Sequence, residues 1–365
     1  MKSRSLAALS VSVVFAISGI PAYAGEAEAD PFGKYEETLD VHFVRATDDT
    51  IETYALGNLP GQTLEDNFWL DTYRDELGIN VVYDWIVKGD DEYSQKINIT
   101  IATGELPDIM SVTATQMVQL AEADLIADIS DVYEAYAADF TKETLTQEGD
   151  DPFLAASIDG KMYGLPVTGG SVDSVDLMWI RQDWLDKFGL EIPQTMDELL
   201  TVIDKFTNED PDGDGENNTY GIGVAGSPNV FGGGYGGLKG FFNAYGAYPT
   251  IWVEKDGQLV YGATQPECKE ALATLADLYQ KGMIDPEFGV MDSGKAGEAG
   301  ASGKCGLTFG QQWLSLVQFQ TNYNLDNDAV WSACPIPTAG DEKASAQADL
   351  GTTRWLVVRK DFEHP

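Results

Sequence analysis

Histidine is almost absent from this sequence, with His42 and His364 as the only two in 365 residues. Most hydrolytic triads need a histidine base, and zinc sites draw mainly on histidine or on clustered cysteine. The G-x-S-x-G segment that carries a nucleophilic serine in many hydrolases is missing as well. These absences argue against zinc enzymes and against hydrolases that use a histidine-activated nucleophile.

Cysteine is scarce too, with Cys268, Cys305 and Cys334 only. Their number is odd and their spacing does not match a metal knot. We therefore predict buried free thiols, and a Cys305–Cys334 disulfide remains the alternative.

Basic residues are few: 22 Lys and Arg stand against 60 Asp and Glu, a formal net charge of −38. Such a chain repels nucleic acid and anionic membranes, so we expect no nucleic-acid partner. Apolar residues still make up 43% of the chain and aromatic residues 11%. The composition is that of a globular protein rather than of a disordered acidic polymer, with length for about two domains.

Long hydrophobic runs are absent after residue 24. Residues 1–24 read as a secretory signal peptide, with Lys2 and Arg4 before an apolar run and "AYA" before Gly25. An uncleaved membrane anchor is the alternative. No cysteine follows the cleavage position, so this is not a lipoprotein signal. The sequence predicts an exported protein, extracellular, at the cell surface or periplasmic, with a flexible polar leader over residues 25–37.

The first half of the chain alternates strand and helix patterns. Residues 39–46 and 79–87 predict strands, and residues 64–78 between them predict a helix that ends at Gly78. Residues 97–112 are ambiguous, because Ile97, Ile99 and Ile101 also alternate like a strand. We favour a helix to about Gly104, then a strand at "DIMSV" and a short helix over residues 114–124. This order predicts a parallel sheet with helices on its faces.

The pattern of apolar residues changes near residue 160. The segment "GKMYGLPVTGG" has no helical period and is typical of a segment that crosses between domains. A strand and a short helix that ends at Gly189 follow. Thr195 and Glu198 form a capping box at the start of the next helix, which we predict to run to about Phe206. A further helix is predicted over residues 266–282.

The segment "DPDGDGENNTYG", residues 210–221, carries the most specific pattern of the chain. Asp210, Asp212 and Asp214 occupy positions 1, 3 and 5 of a calcium loop, and Gly215 occupies position 6. Glu216 can offer its backbone carbonyl at position 7, and Asn218 falls at position 9. Position 12 is Gly221 instead of the bidentate glutamate of an EF-hand, so a paired calcium sensor is excluded. We predict a structural Ca²⁺ site, with an acidic surface turn as the alternative, and Mg²⁺ fits this ligand set less well.

Two glycine-rich segments partly match the sequence motifs of nucleotide-binding sites. "GGGYGG", residues 232–237, satisfies G-x-G-x-x-G but lacks the preceding strand of a dinucleotide fold. "GASGKC", residues 300–305, misses the spacing and the Ser or Thr of a phosphate loop. Neither predicts a nucleotide.

Several segments in a fixed order resemble the extracellular solute-binding proteins of bacterial ABC importers, in the carbohydrate-type branch that includes maltose-binding protein. They span the chain from about residue 40 to its end and include, besides the Asp loop, "GELPDI", "GLPV", "WIRQDWLDKFGLEIPQTMDEL", "GFFNAYGAYP", "VYGATQPECKEALATLADLYQKGMIDPEF", "GLTFGQQW" and "CPIPTAG". The chain is most similar to the large lipoprotein-type members of Gram-positive bacteria. It departs from them in lacking the lipobox cysteine, and it ends at "VVRKDFEHP", so the resemblance predicts a C-terminally truncated chain.

The resemblance implies an α/β, two-lobed, periplasmic-binding-protein-like fold of type II with a ligand cleft between the lobes. Lobe 1 would comprise residues 38–165, lobe 2 residues 166–333 with the calcium loop, and residues 334–365 would return to lobe 1. The implied function is capture of an oligosaccharide or other small solute by lobe closure, for delivery to the membrane subunits of an importer. The protein would be a monomer and not an enzyme. A secreted, calcium-stabilised glycoside hydrolase with paired carboxylates is the alternative.

Candidate ligand contacts come from two arguments. Thr113, Thr115 and Gln116 follow the strand "DIMSV", at the strand end where open α/β sheets bind ligands, with a helix cap as the alternative. The resemblance places the sugar-stacking tryptophan at Trp313, with Gln312 beside it, and a core role is the alternative for Trp313. Further candidates are Tyr235, Arg354 and Trp355.

The resemblance also bears on the calcium loop. In the family's calcium loop the residues after position 7 close the shell of metal ligands, and here those residues are Asn218 and Thr219.

Overall fold

The computed structural model describes residues 30–147, 149, 151–169 and 171–365. The chain divides into two compact units. Unit 1 comprises the chain up to Pro166 together with Trp355–Pro365, and unit 2 comprises Val167–Arg354. The predicted signal peptide and residues 25–29 of the predicted leader lie outside the described residues.

Up to residue 122 the chain alternates strands and helices, and three further helices and three short strands follow up to residue 168. The elements are β1 (Leu39–Thr47), α1 (Phe68–Thr72), β2 (Ile79–Lys88), α2 (Asp90–Thr103), β3 (Ile109–Val112), α3 (Ala114–Glu122), α4 (Ser130–Tyr136), α5 (Asp139–Leu145), α6 (Asp151–Ala156), β4 (Ser157–Ile158), β5 (Lys161–Met162) and β6 (Leu165–Thr168). Helix α1 continues as a π-helical segment, Tyr73–Leu77, and short helical turns cover Thr50–Ala55 and Leu56–Asn58.

The rest of the described chain has the same number of strands, six, but a longer loop after its second helix. Its elements are β7 (Leu177–Arg181), α7 (Gln182–Phe188), α8 (Met196–Asn208), α9 (Lys239–Ala244), β8 (Trp252–Lys255), β9 (Gln258–Tyr261), α10 (Pro266–Gln280), α11 (Ser293–Ala301), β10 (Leu307–Gly310), α12 (Gln318–Leu325), β11 (Trp331–Cys334) and β12 (Thr352–Val358). Among the residues that the structure describes, no helix combines the length and the apolarity needed to cross a lipid bilayer.

Local signals set most of these boundaries. Gly78, Gly104 and Gly189 end their helices in the left-handed conformation, which costs glycine no steric strain. Thr195 and Glu198 form the predicted capping box at the start of α8. The ambiguous stretch after residue 97 is helical up to Thr103, as favoured, because Ile97 packs into the core on one face of α2.

The larger sheet is mixed, with strand order β2-β1-β3-β12-β6. Strand β1 pairs in parallel with β2 and β3, as the sequence pattern predicts. Strand β12 adds antiparallel to β3, with Trp355 opposite Val112. In unit 2 the sheet has order β10-β7-β11 and both pairings are antiparallel, whereas β8 and β9 form a separate hairpin.

Two boundaries differ from the prediction. Strand β11 pairs with β7, with Cys334 opposite Met178, and both residues lie in the core of unit 2. The chain therefore stays in unit 2 beyond Cys334 and passes to unit 1 at Trp355. Within the predicted leader, the backbone N–H of Tyr35 donates to the carbonyl of Leu77 at 3.0 Å, so this part is bonded to unit 1.

Each unit has its own apolar core. Ile97, Met110 and Val112 are fully buried in unit 1, and Trp184, Phe206 and Phe309 occupy the core of unit 2. A smaller cluster in unit 2 gathers Trp179, Tyr235, Leu314 and Phe319. The three cysteines are free and buried, as predicted. Burial raises the pKa of the Cys305 thiol to about 12, which keeps it protonated.

Candidate functional site

The Asp loop follows α8 directly and brings three carboxylates together. One side-chain oxygen from each of Asp210, Asp212 and Asp214 lies within 4.8 Å of the others. The backbone N–H groups of Gly213 and Gly215 donate to Asp210 at 2.9 and 3.2 Å, which turns the chain around this carboxylate. The alternation of the sequence thus becomes a convergence of oxygens in space.

The electrostatics of the loop differ from carboxylate to carboxylate. Desolvation raises the pKa of Asp212, and a hydrogen bond with Asp210 and the charge of Asp214 raise it further. Desolvation also acts to raise the pKa of Asp210, but the hydrogen bond from Asp212 and the amides of Gly215 and Gly213 outweigh it, and the pKa of Asp210 falls. Without a cation, this crowding of like charges is unfavourable.

Of the remaining predicted metal ligands, Glu216 and Asn218 lie close to the carboxylates, whereas Thr219 does not face them. The N–H of Glu216 donates to Asp214 at 2.7 Å, and the Asn218 side-chain amide donates to the other Asp214 oxygen at 2.9 Å. Thr219 is different, because it is buried and its hydroxyl donates to the carbonyl of Phe206 at 2.8 Å. Its side chain therefore ties the loop to α8 and does not close a metal shell. The oxygen donors that remain suit a hard cation such as Ca²⁺.

Trp313 lies just beyond the end of β10 in unit 2. It is half-buried and packs against the cluster that contains Trp179 and Leu314. Its indole N–H donates to Oε1 of Gln311 at 2.7 Å. Gln312, the other predicted contact here, is exposed at the start of a 3₁₀ turn, Gln312–Leu316.

A cavity of about 320 Å³ opens in unit 2 near this tryptophan. Its polar lining includes Ser227, Asn229, Asp292 and Ser293. Gly234 also lines it, and a Cβ added there would lie 3.9 Å from Cη2 of Trp313. Concave sites with a few placed polar groups are typical of small-ligand binding.

Tyr235 belongs to the lining of the same cavity. Its side chain is fully buried, and its ring is enclosed by Gly223 and Gly300, where an added Cβ would lie within 2.7 Å of ring atoms. The two glycines give the ring its space in the core. Tyr235 is therefore a core residue at the wall of the cavity, and a ligand contact by its side chain stays a prediction.

Trp355 also belongs to a core, that of unit 1. It is 4% exposed, and its indole N–H donates to the carbonyl of Pro152 at 3.2 Å. Gly164 lies against it, with an added Cβ only 2.8 Å from the Trp355 Cβ. Trp355 is therefore removed from the candidate ligand set. Arg354, the last residue of unit 2, is half-buried and stays a prediction.

The residues after β3 form a helix cap. The Thr113 hydroxyl accepts from the N–H of Gln116, and the Gln116 side chain accepts from the N–H of Thr113 at 2.9 Å. The amide of Gln116 also donates to Asn98 at 2.8 Å. Thr113 and Thr115 are exposed on this first turn. The cap is thus present, and a ligand role for the three residues stays a prediction.

The sequence interpretation missed a polar group at the start of β7. Asp176 is buried, with one oxygen accepting from the N–H of Gly240 at 3.0 Å and the other without a partner. Burial raises its pKa to about 6, although Lys239 nearby lowers it. Lys239 is itself buried and pairs with Asp349 at 2.9 Å. An acid just before an apolar strand was the only sequence signal for this group.

Comparison with known proteins gives the family. Residues 60–365 match the family described as bacterial extracellular solute-binding protein. Lipoprotein LipO of Bacillus subtilis is 28% identical over 261 residues, which is 71% of this chain and 49% of LipO. The fructooligosaccharide ABC transporter substrate-binding protein FusA of Streptococcus pneumoniae is 29% identical over 231 residues, 60% of this chain and 41% of FusA. The chain thus spans about half the length of these relatives.

Solved structures agree with the fold. FusA in complex with kestose superposes with a TM-score of 0.66 at 22% identity, over 88% of this chain and 63% of FusA. An extracellular solute-binding protein from Bifidobacterium longum subsp. infantis gives a TM-score of 0.69 at 18% identity, over 90% of this chain and 65% of that protein. These likenesses confirm the predicted α/β fold of the type II periplasmic-binding class. Together with the match over residues 60–365, they lead to one conclusion: this chain belongs to the family of bacterial extracellular solute-binding proteins.

Proposed function

We propose that this protein is the substrate-binding component of an ABC importer and captures an oligosaccharide or other small solute outside the cytoplasmic membrane. The observation that carries the proposal is the family match over residues 60–365. FusA, an ABC transporter substrate-binding protein for fructooligosaccharides, supports the carbohydrate class. The half-buried Trp313, near a cavity of unit 2 that Gly234 lines, is a side chain that such a solute can stack on.

The partners and the location follow from the same proposal. We expect the membrane subunits of an importer as the protein partner, a monomeric state in solution, and export from the cytoplasm. The formal net charge of −38 supports the absence of a nucleic-acid partner. Candidate contacts for the solute are Trp313, Gln312, Thr113, Thr115, Gln116, Tyr235 and Arg354.

A panel of sugars read by thermal shift tests the function. The panel contains kestose, nystose, maltotriose, lacto-N-tetraose and trigalacturonate, each at millimolar concentration. A solute that binds only the folded state raises the melting temperature, and a concentration of one hundred times Kd adds about 2.7 kcal/mol to the free energy of unfolding. If no sugar raises the melting temperature, the carbohydrate proposal is wrong.

The same samples distinguish a binding protein from a glycosidase. We propose that the chain is not an enzyme, because its family consists of binding proteins. A sugar that shifts the melting temperature should show no release of reducing ends during prolonged incubation. Steady release that scales with protein concentration would contradict this proposal.

We propose in addition that the Asp loop holds a structural Ca²⁺. The ligands would be Asp210, Asp212, Asp214, the carbonyl of Glu216 and Asn218. Support comes from the three carboxylates that converge within 4.8 Å in this structure. An EF-hand mutant of FusA is among the solved structures that share the fold, with a TM-score of 0.66. Calorimetric titration with Ca²⁺ should show one site, and Mg²⁺ should bind more weakly because it demands stricter octahedral geometry.

A further inference from the structure

The glycine loop of residues 232–237 has no nucleotide to bind, yet its glycines are packed against specific side chains of unit 2. A Cβ added to Gly233 would lie 2.4 Å from Nε2 and 2.7 Å from Cδ of Gln311. The N–H of Gln311 donates to the carbonyl of Gly233 at 3.3 Å. Glycine at position 233 therefore leaves the space that the Gln311 amide occupies.

The Gln311 amide is fixed at both of its polar atoms. Its oxygen accepts from the indole N–H of Trp313 at 2.7 Å. Its nitrogen donates to the backbone carbonyl of Ser174 at 3.2 Å. An amide held from both sides cannot rotate without losing one of these bonds, so it presents its oxygen to the indole.

The next glycine lies at the other end of the indole. A Cβ added to Gly234 would lie 2.1 Å from Oγ of Ser293 and 3.9 Å from Cη2 of Trp313. The glycine loop thus passes near the benzo end of the ring, while Gln311 accepts from its N–H. The half-buried indole lies between this loop and the glutamine that the loop accommodates.

We propose that Gln311 and Gly233 are positioning residues for Trp313, which they hold with a ring face directed at a bound solute. The inference rests on the proposed function, because it assumes that Trp313 contacts the solute. The hydrogen bond to Gln311 also determines which part of Trp313 is available to the solute. Since the N–H is used inside the protein, Trp313 offers the solute a π-face, which suits the C–H face of a neutral sugar ring rather than a hydrogen-bond acceptor.

The indole N–H signals in ¹H–¹⁵N spectra of the sugar-free protein test the positioning. Trp313→Phe identifies the signal of Trp313 among the 8 tryptophans of the chain. Gln311→Met keeps the length of the side chain but removes the acceptor, so this signal should move upfield and exchange faster with water. Gln311→Glu restores an acceptor and should recover the downfield position.

Adjacent glycines supply a matched pair. Gly233→Ala should displace the Gln311 amide and move the Trp313 signal in the direction that Gln311→Met does. Gly232→Ala is the control, because its Cβ would meet only the carbonyl of Asn229 at 3.5 Å, an ordinary contact. It should leave the Trp313 signal in place.

Affinity for whichever panel sugar raises the melting temperature completes the test. Gln311→Met and Gly233→Ala should each weaken binding at least tenfold, but should have little further effect in a Trp313→Ala background. A Trp313 signal that does not move in Gln311→Met overturns the inference, and so does an undiminished affinity or an equal loss of affinity without Trp313. If no sugar binds, the proposed function fails and this inference fails with it, whatever the indole signal shows.

Discussion

Trp313 combines two environments that a single side chain rarely has. One part of the indole packs on the cluster of Trp179, Leu314 and Phe319, and its N–H is satisfied by Gln311. The residue as a whole is half-buried, so part of its surface remains accessible. A side chain held in this way loses little further freedom when a solute stacks on it, which favours binding.

Trp313→Ala should weaken sugar binding by about 2 kcal/mol or more, on the order of thirtyfold in Kd, because it removes a large aromatic contact. The melting temperature of the sugar-free protein should fall by less than the loss of a wholly buried tryptophan would cause, because only part of the side chain is buried. Trp252→Ala is the control, since Trp252 is 64% exposed on β8 in the same unit. If Trp313 served only the core, its removal would instead cost roughly 3–5 kcal/mol of stability, visible before any titration.

Asp176 links stability to pH. Burial of the carboxyl raises its pKa in the folded protein to about 6 from the ordinary value of 3.8. The folded state therefore holds the proton more tightly than the unfolded chain. This contribution to the free energy of unfolding is complete below pH 3.8 and is lost as the pH rises through 6, with a magnitude on the order of 3 kcal/mol.

Asp176→Asn removes that ionisation. The free energy of unfolding of variant and parent is measured in urea at pH 4, 5, 6 and 7. The value for the variant minus the value for the parent should increase as the pH rises. Asp173→Asn, at an exposed position nearby, removes the same charge without burial and serves as the control. Parallel pH profiles of parent and Asp176→Asn would show that the buried carboxyl does not titrate in this range.

At the scale of elements, the loop after α8 has a backbone shaped for its charges. Gly213 and Gly215 adopt positive φ values of 77° and 85°, and Asp210 has a φ of 50°. These conformations aim the N–H groups at the Asp210 carboxylate. The ammonium group of Lys187 donates to the carbonyls of Asp210 and Pro211 at 2.7 and 3.1 Å, which anchors the loop to α7.

Asp212→Ala should lower the melting temperature in saturating Ca²⁺ and should have little effect in excess chelator. The reason is that Ca²⁺ stabilises the folded state through this ligand, whereas without Ca²⁺ the hydrogen bond with Asp210 and the repulsion from Asp214 oppose each other. Glu254→Ala, which removes an exposed acid from β8, should leave both melting temperatures unchanged. Equal melting of Asp212→Ala and parent in Ca²⁺ would make the loop a surface turn.

At the scale of the whole molecule, the large negative net charge affects the stability of the folded state. A formal net charge of −38 destabilises the compact state by self-repulsion at neutral pH. Salt shortens the Debye length from about 30 Å at 0.01 M to about 10 Å at 0.1 M and weakens this repulsion.

The melting temperature in excess chelator should therefore rise as NaCl increases from 0.01 to 0.5 M. Choline chloride should give the same rise, because screening depends on ionic strength and not on a bound cation. A rise seen with Na⁺ alone would point to cation binding, and a constant melting temperature with both salts would show that repulsion does not limit stability.

Closure of the two predicted lobes on a bound solute is a second property of the whole molecule. It stays a prediction from the sequence.

The sequence alone determined the features that depend on neighbouring residues. The helix ends at Gly78, Gly104 and Gly189 and the capping box of α8 were predicted, because a left-handed glycine or a threonine cap acts within one turn of chain. The carboxylates of the Asp loop were found for the same reason. Their spacing is local, and a tight turn brings alternate residues together.

Only the tertiary structure decided the features that depend on distant segments. Strand β12 joins the sheet antiparallel to β3, more than two hundred residues earlier, and takes Trp355 into the core of unit 1. Gly300 and Gly223 make room for Tyr235 from separate parts of the chain. Gln311, Ser174 and Gly233 meet around the Trp313 indole only after unit 2 folds. Burial and hydrogen-bond partners of this kind have no local signature, because they arise from packing between elements far apart in sequence.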